Sequence, residues 1–197
     1  EGDPDIPVFR NEFWTSRQRD AHSLHEISYR ACFKAQLPEF FIERLTAPGD
    51  CVFDPFMGRG TTLLQAALMG RQVAGCDVNP LSRVMIEPRL NPPLIGEVEE
   101  RLGLLPRRRG SPVNERLLVF YHPDTLCEIE ALRDWLCAEL PGIDPAMDWI
   151  RMVATNRLTG HSKGFFSVYT LPPNQAVTVE SQAEAEGDEE LDEPEEG

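Results

Sequence analysis

The chain lacks paired cysteine motifs and long hydrophobic runs. Its five cysteines are odd in number and form no C-x-x-C pair, so the sequence indicates neither a disulfide framework nor a metal site. We interpret each cysteine as a buried thiol in a reducing compartment. No apolar run approaches the roughly 20 residues that a bilayer-spanning helix needs, and the first residues show no signal-peptide pattern. These absences predict a cytoplasmic protein with no membrane partner.

An excess of basic residues is also absent, because the formal net charge is -14. Binding to nucleic-acid phosphates generally requires a basic face, and the total charge taken alone argues against one. However, nine of the 33 acids lie in residues 183–197, which hold no base, so 24 acids face 19 Lys and Arg residues elsewhere. The rest of the chain can therefore still carry a local basic patch.

The length of the chain favours one main domain. A sequence of 197 residues that is 41% hydrophobic can bury one proper core, whereas two full domains would be crowded. We expect an N-terminal arm at residues 1–19 and a domain at residues 20–182, in which residues 88–160 form a loop and helical insertion. Residues 183–197 are acidic and poor in apolar side chains, which predicts a disordered tail.

Local signals in the centre of the chain predict a βαβ unit. Residues 51–53 form a short apolar run, typical of a parallel strand that is buried on both faces. Residues 61–69 are rich in helix formers, and Gly70 is a natural helix stop. Residues 72–76 form a second short strand that Asp77 closes. This order predicts an α/β fold, Rossmann-like and doubly wound, with a mostly parallel sheet between helices in three layers.

Further elements are predicted on both sides of this unit. The apolar spacing before residue 45 predicts a helix with Pro38 in its first turn. Residues 88–112 contain five prolines and are interpreted mainly as a long loop, with one helical turn at residues 97–102. Apolar periodicity predicts helices at residues 124–140 and from Pro145 onward, and residues 165–169 resemble a strand.

The loop between the first strand and the helix has the character of a ligand site. Gly58 and Gly60 remove side chains, so a ligand can approach the backbone closely. The G-x-G-x-x-G pattern that binds a pyrophosphate is incomplete, because Leu63 stands where the third glycine would be. Asp54 would repel a pyrophosphate but attract an amino-bearing ligand. Asp77, at the end of the next strand, can accept hydrogen bonds from ribose hydroxyls.

The string from Asp54 to Thr62, D-P-F-M-G-R-G-T-T, resembles the D-P-F-x-G-x-G-T-T motif of the DNA N4-cytosine and N6-adenine amino-methyltransferases. The G-C-D-V-N-P string from Gly75 to Pro80 resembles the G-x-D-x-N-P that follows it in that family. Upstream, the family segment H-x-Y-P-A-K-F-x-P-E is matched more loosely, with Cys32 where lysine is usual. The matching positions there are His25, Tyr29, Phe33 and Pro38.

This resemblance implies S-adenosylmethionine as the cofactor. Asp54 and Gly58 would face its methionine moiety, Thr61 and Thr62 would bind its carboxylate, and Asp77 would hold its ribose. The implied cofactor-binding residues are Phe33, Asp54, Phe56, Gly58, Gly60, Thr61, Thr62, Asp77 and Asn79. Phe33 would line the pocket, and Asn79 would stabilise the loop after the second strand. Two alternatives stay open: the threonines cap a helix, and Phe33 is a core residue.

The family's base-holding loop, [Asp/Asn/Ser]-Pro-Pro-aromatic, is not evident. In the Pro-Pro pair at residues 171–174, Leu171 cannot accept a hydrogen bond and Asn174 cannot stack on a base. The pair at residues 91–94 has an acceptor, Asn91, but no aromatic. The catalytic residues are therefore unknown. We favour an incomplete chain whose catalytic loop lies in a C-terminal segment beyond Gly197; a split enzyme with a second subunit and a non-catalytic relative are the alternatives.

The function that follows is S-adenosylmethionine-dependent methyl transfer to exocyclic amines of DNA adenine or cytosine, by the whole enzyme or by its cofactor-binding part. DNA is the expected substrate, and restriction-modification is the expected setting. A methyltransferase acting on RNA or small molecules is the nearest enzymatic alternative, since the cofactor loop says little about the acceptor. A non-catalytic cofactor-binding or nucleic-acid-binding subunit is the alternative from another class.

Overall fold

The structure is a computed structural model that describes residues 21–27, 33–106, 114–138, 141–157 and Glu180. The predicted arm at residues 1–19, the strand at residues 165–169, the Pro-Pro pair at residues 171–174 and the acidic tail lie outside the described residues. The chain divides into two compact units, Glu1–Pro92 and Pro93–Gly197. In the described part of the chain, no helix combines the length and the hydropathy that a bilayer crossing needs.

The first unit contains the predicted βαβ arrangement. Its elements are a 3-10 helix Ser23–His25, α1 Gln36–Leu45, β1 Cys51–Asp54, α2 Thr61–Leu68, β2 Gln72–Gly75 and α3 Leu81–Leu90. The strands β1 and β2 pair in parallel, with a register that runs from Cys51 opposite Gln72 to Asp54 opposite Gly75. The predicted strand, helix and parallel strand are therefore confirmed.

A small apolar core holds α2 against β2 and α3. Leu63 and Leu64 of α2 are 3% and 1% exposed, and they pack with Ile86 of α3, which is 2% exposed. Val73 of β2 packs against the same cluster. Each fully buried Leu or Ile side chain contributes about 1.5–3 kcal/mol relative to an exposed one. This core fixes the direction in which α2 leaves the loop after β1.

The expectation that β1 is buried on both faces is wrong. Val52 is half-buried, whereas Cys51 is exposed and Phe53 is 61% exposed. Side chains alternate between the two faces of a strand, so Val52 lies on one face while Cys51 and Phe53 lie on the other. Among the described residues, that second face is left largely uncovered. The buried-thiol interpretation is also wrong for Cys51, Cys76 and Cys137, which are exposed, and right for Cys127.

The second unit is helical in its described part. Its elements are α4 Ile95–Gly103, a 3-10 helix Glu115–Val119, α5 Pro123–Cys137 and α6 Pro145–Arg157. Leu136 of α5 and Met147 and Ile150 of α6 form a buried cluster, against which Val98 of α4 packs. The two helices predicted from periodicity are confirmed, although residues 139, 140 and 158 lie outside the described residues.

The loop predicted at residues 88–112 is more helical than expected. Pro88 lies inside α3 and is buried; it removes one intrahelical donor, and α3 ends only two residues later at Leu90. The single turn predicted at residues 97–102 is the nine-residue helix α4. This helix is stabilised at its start because the Glu97 carboxylate accepts a hydrogen bond from the Leu94 N–H at 2.8 Å.

Candidate cofactor site

The loop that follows β1 needs glycine at two positions. Gly58 and Gly60 have φ values of 50° and 80°, in the left-handed region that side chains disfavour. Gly60 is also closed to a side chain, because a Cβ there would lie 2.6 Å from Ile86 Cγ1. The glycine loop, which we define as residues 54–60, therefore packs directly on α3.

Asp77 connects this loop to the loop after β2. Its carboxylate accepts hydrogen bonds from the Gly58 N–H and the Asn79 N–H, each at 2.8 Å. The N–H groups of Asn79 and then Gly58 lower the pKa of Asp77 below its ordinary value, so the group is ionised at neutral pH. The Ser82 side chain also lowers this pKa, and the carboxylate still has lone pairs that a ligand hydroxyl can use.

Asp54 and Asn79 organise the backbone immediately after each strand. Asp54 Oδ1 accepts a hydrogen bond from the Phe56 N–H at 3.0 Å, which turns the chain away from β1. Asn79 Oδ1 accepts one from the Leu81 N–H at 3.0 Å, at the start of α3. The Phe56 side chain is 85% exposed.

The start of α2 disagrees with the alternative that the threonines cap this helix. Gly60, not a threonine, occupies the N-cap position, and no side chain caps the helix. Thr61 is buried, and its Oγ1 accepts a hydrogen bond from Arg59 Nε at 3.0 Å. Thr62 is half-buried. The hydroxyl of Thr61 is thus held by a side chain of the glycine loop.

The remaining predicted residues lie before and after this centre. Phe33 precedes α1 and is 40% exposed, which disagrees with the alternative that it is a core residue. His25 is 6% exposed, and its Nε2 lies 3.1 Å from Gln65 Oε1 on α2. Burial is the main cause that lowers the pKa of His25, so the imidazole is neutral at neutral pH. Tyr29 and Cys32 lie outside the described residues.

The structure brings most of the predicted residues to one edge. Because β1 and β2 are parallel, their carboxyl ends lie side by side, and the glycine loop and Asp77 meet there. The structure does not place the Pro-Pro pair at residues 91–94 at the end of a strand. That pair connects α3 to α4, and Leu94 is the N-cap residue of α4.

Two arginines near this edge were missed by sequence reasoning. Arg59 stands at a variable position of the glycine motif, and Arg89 is an ordinary-looking basic residue of α3 that proves to be only 2% exposed. Both donate hydrogen bonds to backbone carbonyls near the loop. No local pattern could have identified these contacts, because the carbonyls of Ile27 and Arg59 that accept these bonds lie 32 and 30 positions away from Arg59 and Arg89 respectively.

Comparison with known proteins agrees with this geometry. A family model described as DNA methylase matches residues 7–83. The type II methyltransferase M.MjaII of Methanocaldococcus jannaschii is 39% identical over 74 residues, which are 38% of this chain and 14% of that protein. M.BsoBI of Geobacillus stearothermophilus, also a type II methyltransferase, is 38% identical over 84 residues, 42% of this chain and 16% of that protein.

The type II methyltransferase M.MvaI of Kocuria varians is 35% identical over 81 residues, 40% of this chain and 17% of that protein. The matched part of the chain thus spans about a sixth of the length of these relatives. No solved structure matches the chain significantly. The family has a Rossmann-like fold, to which the parallel β1–α2–β2 unit corresponds. Residues 7–83 are therefore similar to the DNA N6-adenine and N4-cytosine amino-methyltransferases.

Proposed function

We propose that the first unit binds S-adenosylmethionine, as part of an enzyme that methylates exocyclic amines of DNA adenine or cytosine. The observation that carries this proposal is the hydrogen bond from the Gly58 N–H to the Asp77 carboxylate at 2.8 Å. It joins the glycine loop to the acid that follows the next strand, and so brings backbone and carboxylate groups together at one edge of the sheet. DNA methyltransferase relatives that match this same region support the identity of the ligand.

The chemistry of the residues present suits this cofactor. The spare lone pairs of Asp77 can accept hydrogen bonds from ribose hydroxyls, and the Asp54 carboxylate can attract the amino group of the methionine moiety. Thr61 and Thr62 would hold its carboxylate at the start of α2, where the helix dipole favours an anion. Phe56 and Val78 are highly exposed at the same edge and offer apolar contact to the adenine ring.

When bound, the cofactor supplies an activated methyl group. The task of this chain's residues is to bind and orient the cofactor, because positioning supplies much of the rate in such a transfer. Phe33 is proposed to line the pocket, and Asn79 to keep the loop after β2 in place through its bond to the Leu81 N–H.

We further propose that this chain is the cofactor-binding part of a larger doubly wound, three-layer assembly. Two features support this. The relatives are about six times longer than the matched segment. In addition, the described residues leave the strand face with Cys51 and Phe53 exposed, although parallel sheets are usually covered on both faces. The loop that holds the base would be contributed by a second subunit or by a further segment of the polypeptide.

Calorimetric titration with S-adenosylmethionine and S-adenosylhomocysteine tests the proposal. We expect micromolar binding, and we expect Asp77→Ala to weaken it about tenfold or more, the size of a hydrogen bond to a charged group. Asp50→Ala is the matched control, because Asp50 also accepts a backbone N–H, from Ala47 at 2.8 Å, but lies at the opposite end of β1. The affinity of the Asp50→Ala variant for both ligands should not change.

A tritium-methyl transfer assay on duplex DNA then separates the two parts of the proposal. Cofactor binding without transfer would support a cofactor-binding part that requires the rest of the enzyme. Transfer by the chain alone would contradict the proposed need for a further segment or subunit. Absence of cofactor binding at high micromolar ligand would refute the proposed function as a whole.

A further inference from the structure

Arg89 is a buried charge with an unusual set of partners. Its side chain lies near the end of α3 and is 2% exposed, although arginine is almost never fully buried unless it is paired. The guanidinium donates from Nε to the Met85 carbonyl at 2.7 Å and from Nη1 to the Leu24 carbonyl at 3.1 Å. Nη2 donates to the carbonyl of Arg59 in the glycine loop. One side chain therefore joins α3, the segment before α1 and the loop.

Arg59 extends this connection from the loop itself. Its Nη1 donates to the carbonyls of Ile27 at 2.7 Å and His25 at 3.3 Å. Its Nε donates to Thr61 Oγ1 at 3.0 Å. The backbone of residues 24–27 is thus held by both guanidinium groups. We call Arg59 and Arg89 together the arginine pair.

The acceptors of the arginine pair are all neutral. Among the described residues they are five backbone carbonyls and one hydroxyl, so no carboxylate in this set cancels the two positive charges. Burial, and then the charge of Arg59, lowers the pKa of Arg89 to about 10, which still leaves it protonated at neutral pH. The arginine pair therefore places positive charge beside the start of α2, which favours an anionic group there, while the carboxylates of Asp54 and Asp77 add negative charge elsewhere on the loop edge.

The bond to Thr61 sets the direction of its hydroxyl. A guanidinium can only donate, so Thr61 Oγ1 must accept from Arg59, and its own proton remains available to donate to another group. A carboxylate placed at the start of α2 would accept a hydrogen bond from that O–H group. Without Arg59, the Thr61 hydroxyl could rotate and use its proton elsewhere.

We propose that Arg59 is a positioning residue for the carboxylate end of the bound cofactor, acting through Thr61 and supported by Arg89. This inference rests on the proposed function, because it assumes an S-adenosylmethionine pocket at the glycine loop. It goes beyond the motif, since Arg59 stands where the motif leaves the residue unspecified. It also predicts that Arg59 affects binding of the carboxylate end of the cofactor and not of its adenine and ribose.

The test compares two ligands that differ only at that end. S-adenosylhomocysteine carries the amino-acid group with its carboxylate, whereas 5′-methylthioadenosine has the adenine, ribose and sulfur without that group. Arg59→Met should weaken S-adenosylhomocysteine binding about tenfold or more and change 5′-methylthioadenosine binding less than about twofold, as expected when the hydrogen bond from Thr61 to the charged carboxylate is lost. Arg59→Lys keeps the charge but not the planar fork, and should show the same selective loss to a smaller extent.

Arg71→Met is the matched control. Arg71 is also half-buried and also makes three hydrogen bonds to neutral acceptors, which are Thr46 Oγ1, Thr46 O and Met69 O. It lies just before β2, at the opposite end of the sheet from the glycine loop. Its replacement removes a comparable set of bonds, but the affinities for both ligands should stay the same.

Each outcome decides between the explanations. A selective loss for S-adenosylhomocysteine in the Arg59 variants, with Arg71→Met unaffected, supports the inference. Equal weakening of both ligands, an equal effect of Arg71→Met, or unchanged binding in Arg59→Met would overturn it while leaving the proposed function intact. If Arg59→Met does not fold by circular dichroism, the ratio of the two affinities in Arg59→Lys gives the same decision. If the unsubstituted chain binds neither ligand, the proposed function and this inference both fail.

Discussion

Replacing Gly60 by alanine probes the contact on which the glycine loop depends. Gly60 has φ 80° and is buried between the loop and α3. A Cβ at this position would lie 2.6 Å from Ile86 Cγ1 and 3.0 Å from Ile86 Cβ, closer than real Cβ atoms normally approach. Ile86 is only 2% exposed, so its side chain has little space into which to move.

Two costs add at this position. A non-glycine residue in the left-handed region costs about 1–2 kcal/mol. Forcing an extra carbon into a packed core costs a further 1–3 kcal/mol or so. We therefore expect Gly60→Ala to lower the free energy of unfolding by about 2–5 kcal/mol in total.

Gly70→Ala separates the two costs. Gly70 has φ 77°, close to that of Gly60, but a Cβ added at Gly70 would meet no atom within 4 Å. This variant should therefore lose only the conformational part, about 1–2 kcal/mol. The smaller conformational freedom that alanine gives the unfolded chain affects both variants alike and cancels in the comparison.

Urea unfolding followed by circular dichroism measures both variants, with the free energy extrapolated linearly to water. A Gly60→Ala variant no less stable than Gly70→Ala would refute the packing argument. Ile86→Ala supplies a second check, because it removes the atoms nearest to the new Cβ. The double variant Gly60→Ala/Ile86→Ala should then be more stable than the sum of the two single effects predicts.

Two further predictions concern charge and capping. Burial lowers the pKa of His25 below 6.5, so the unfolded chain takes up a proton at a higher pH than the folded chain does. The free energy of unfolding should therefore fall as the pH drops below about 6.5, by at most about 1.4 kcal/mol per pH unit. His25→Gln should remove this part of the pH dependence in urea unfolding between pH 7.5 and 5.5; an unchanged dependence would contradict it. Asp144→Ala removes the oxygen that accepts the N–H groups of Ala146 and Met147 at 2.9 and 3.3 Å, and should destabilise the second unit by about 1–2 kcal/mol. Arg101→Ala, which removes only the ion pair with Asp144, should cost less than about 1 kcal/mol when both variants are compared by thermal unfolding; equal losses would argue against capping.

The βαβ unit could be predicted because its signals are local. A short apolar run, a glycine loop, a helix with Gly70 behind it and a second apolar run each act within a few residues. The exposure of Phe53 could not be predicted in the same way, because an apolar strand does not reveal which elements cover it. Pro88 misled for a related reason: its ring is tolerated in α3 close to the helix end, where few intrahelical bonds remain to be lost.

The candidate site was predictable as a set of residues but not as a set of contacts. The motif identified Gly58, Gly60 and Asp77, whose backbone and side-chain chemistry the spacing makes plain. It could not reveal that the Asp77 carboxylate accepts the Gly58 N–H, since that bond joins two different strand ends. The arginine pair was missed for the same physical reason: five of its six acceptors are backbone carbonyls, which every sequence provides and no pattern distinguishes.

The packing of α3 explains why these unpredicted contacts matter to the loop. Ser82, Met85, Ile86 and Arg89 are all buried, with the spacing of one helix face. Two of them meet the glycine loop: Ile86 where a Cβ at Gly60 would stand, and Arg89 at the carbonyl of Arg59. Residues three apart on a helix lie on the same side, so both contacts move together with α3. The shape of the glycine loop therefore depends on the side chains of α3 that pack against it. Substitutions on this face of α3 should alter ligand affinity although these side chains do not contact the ligand.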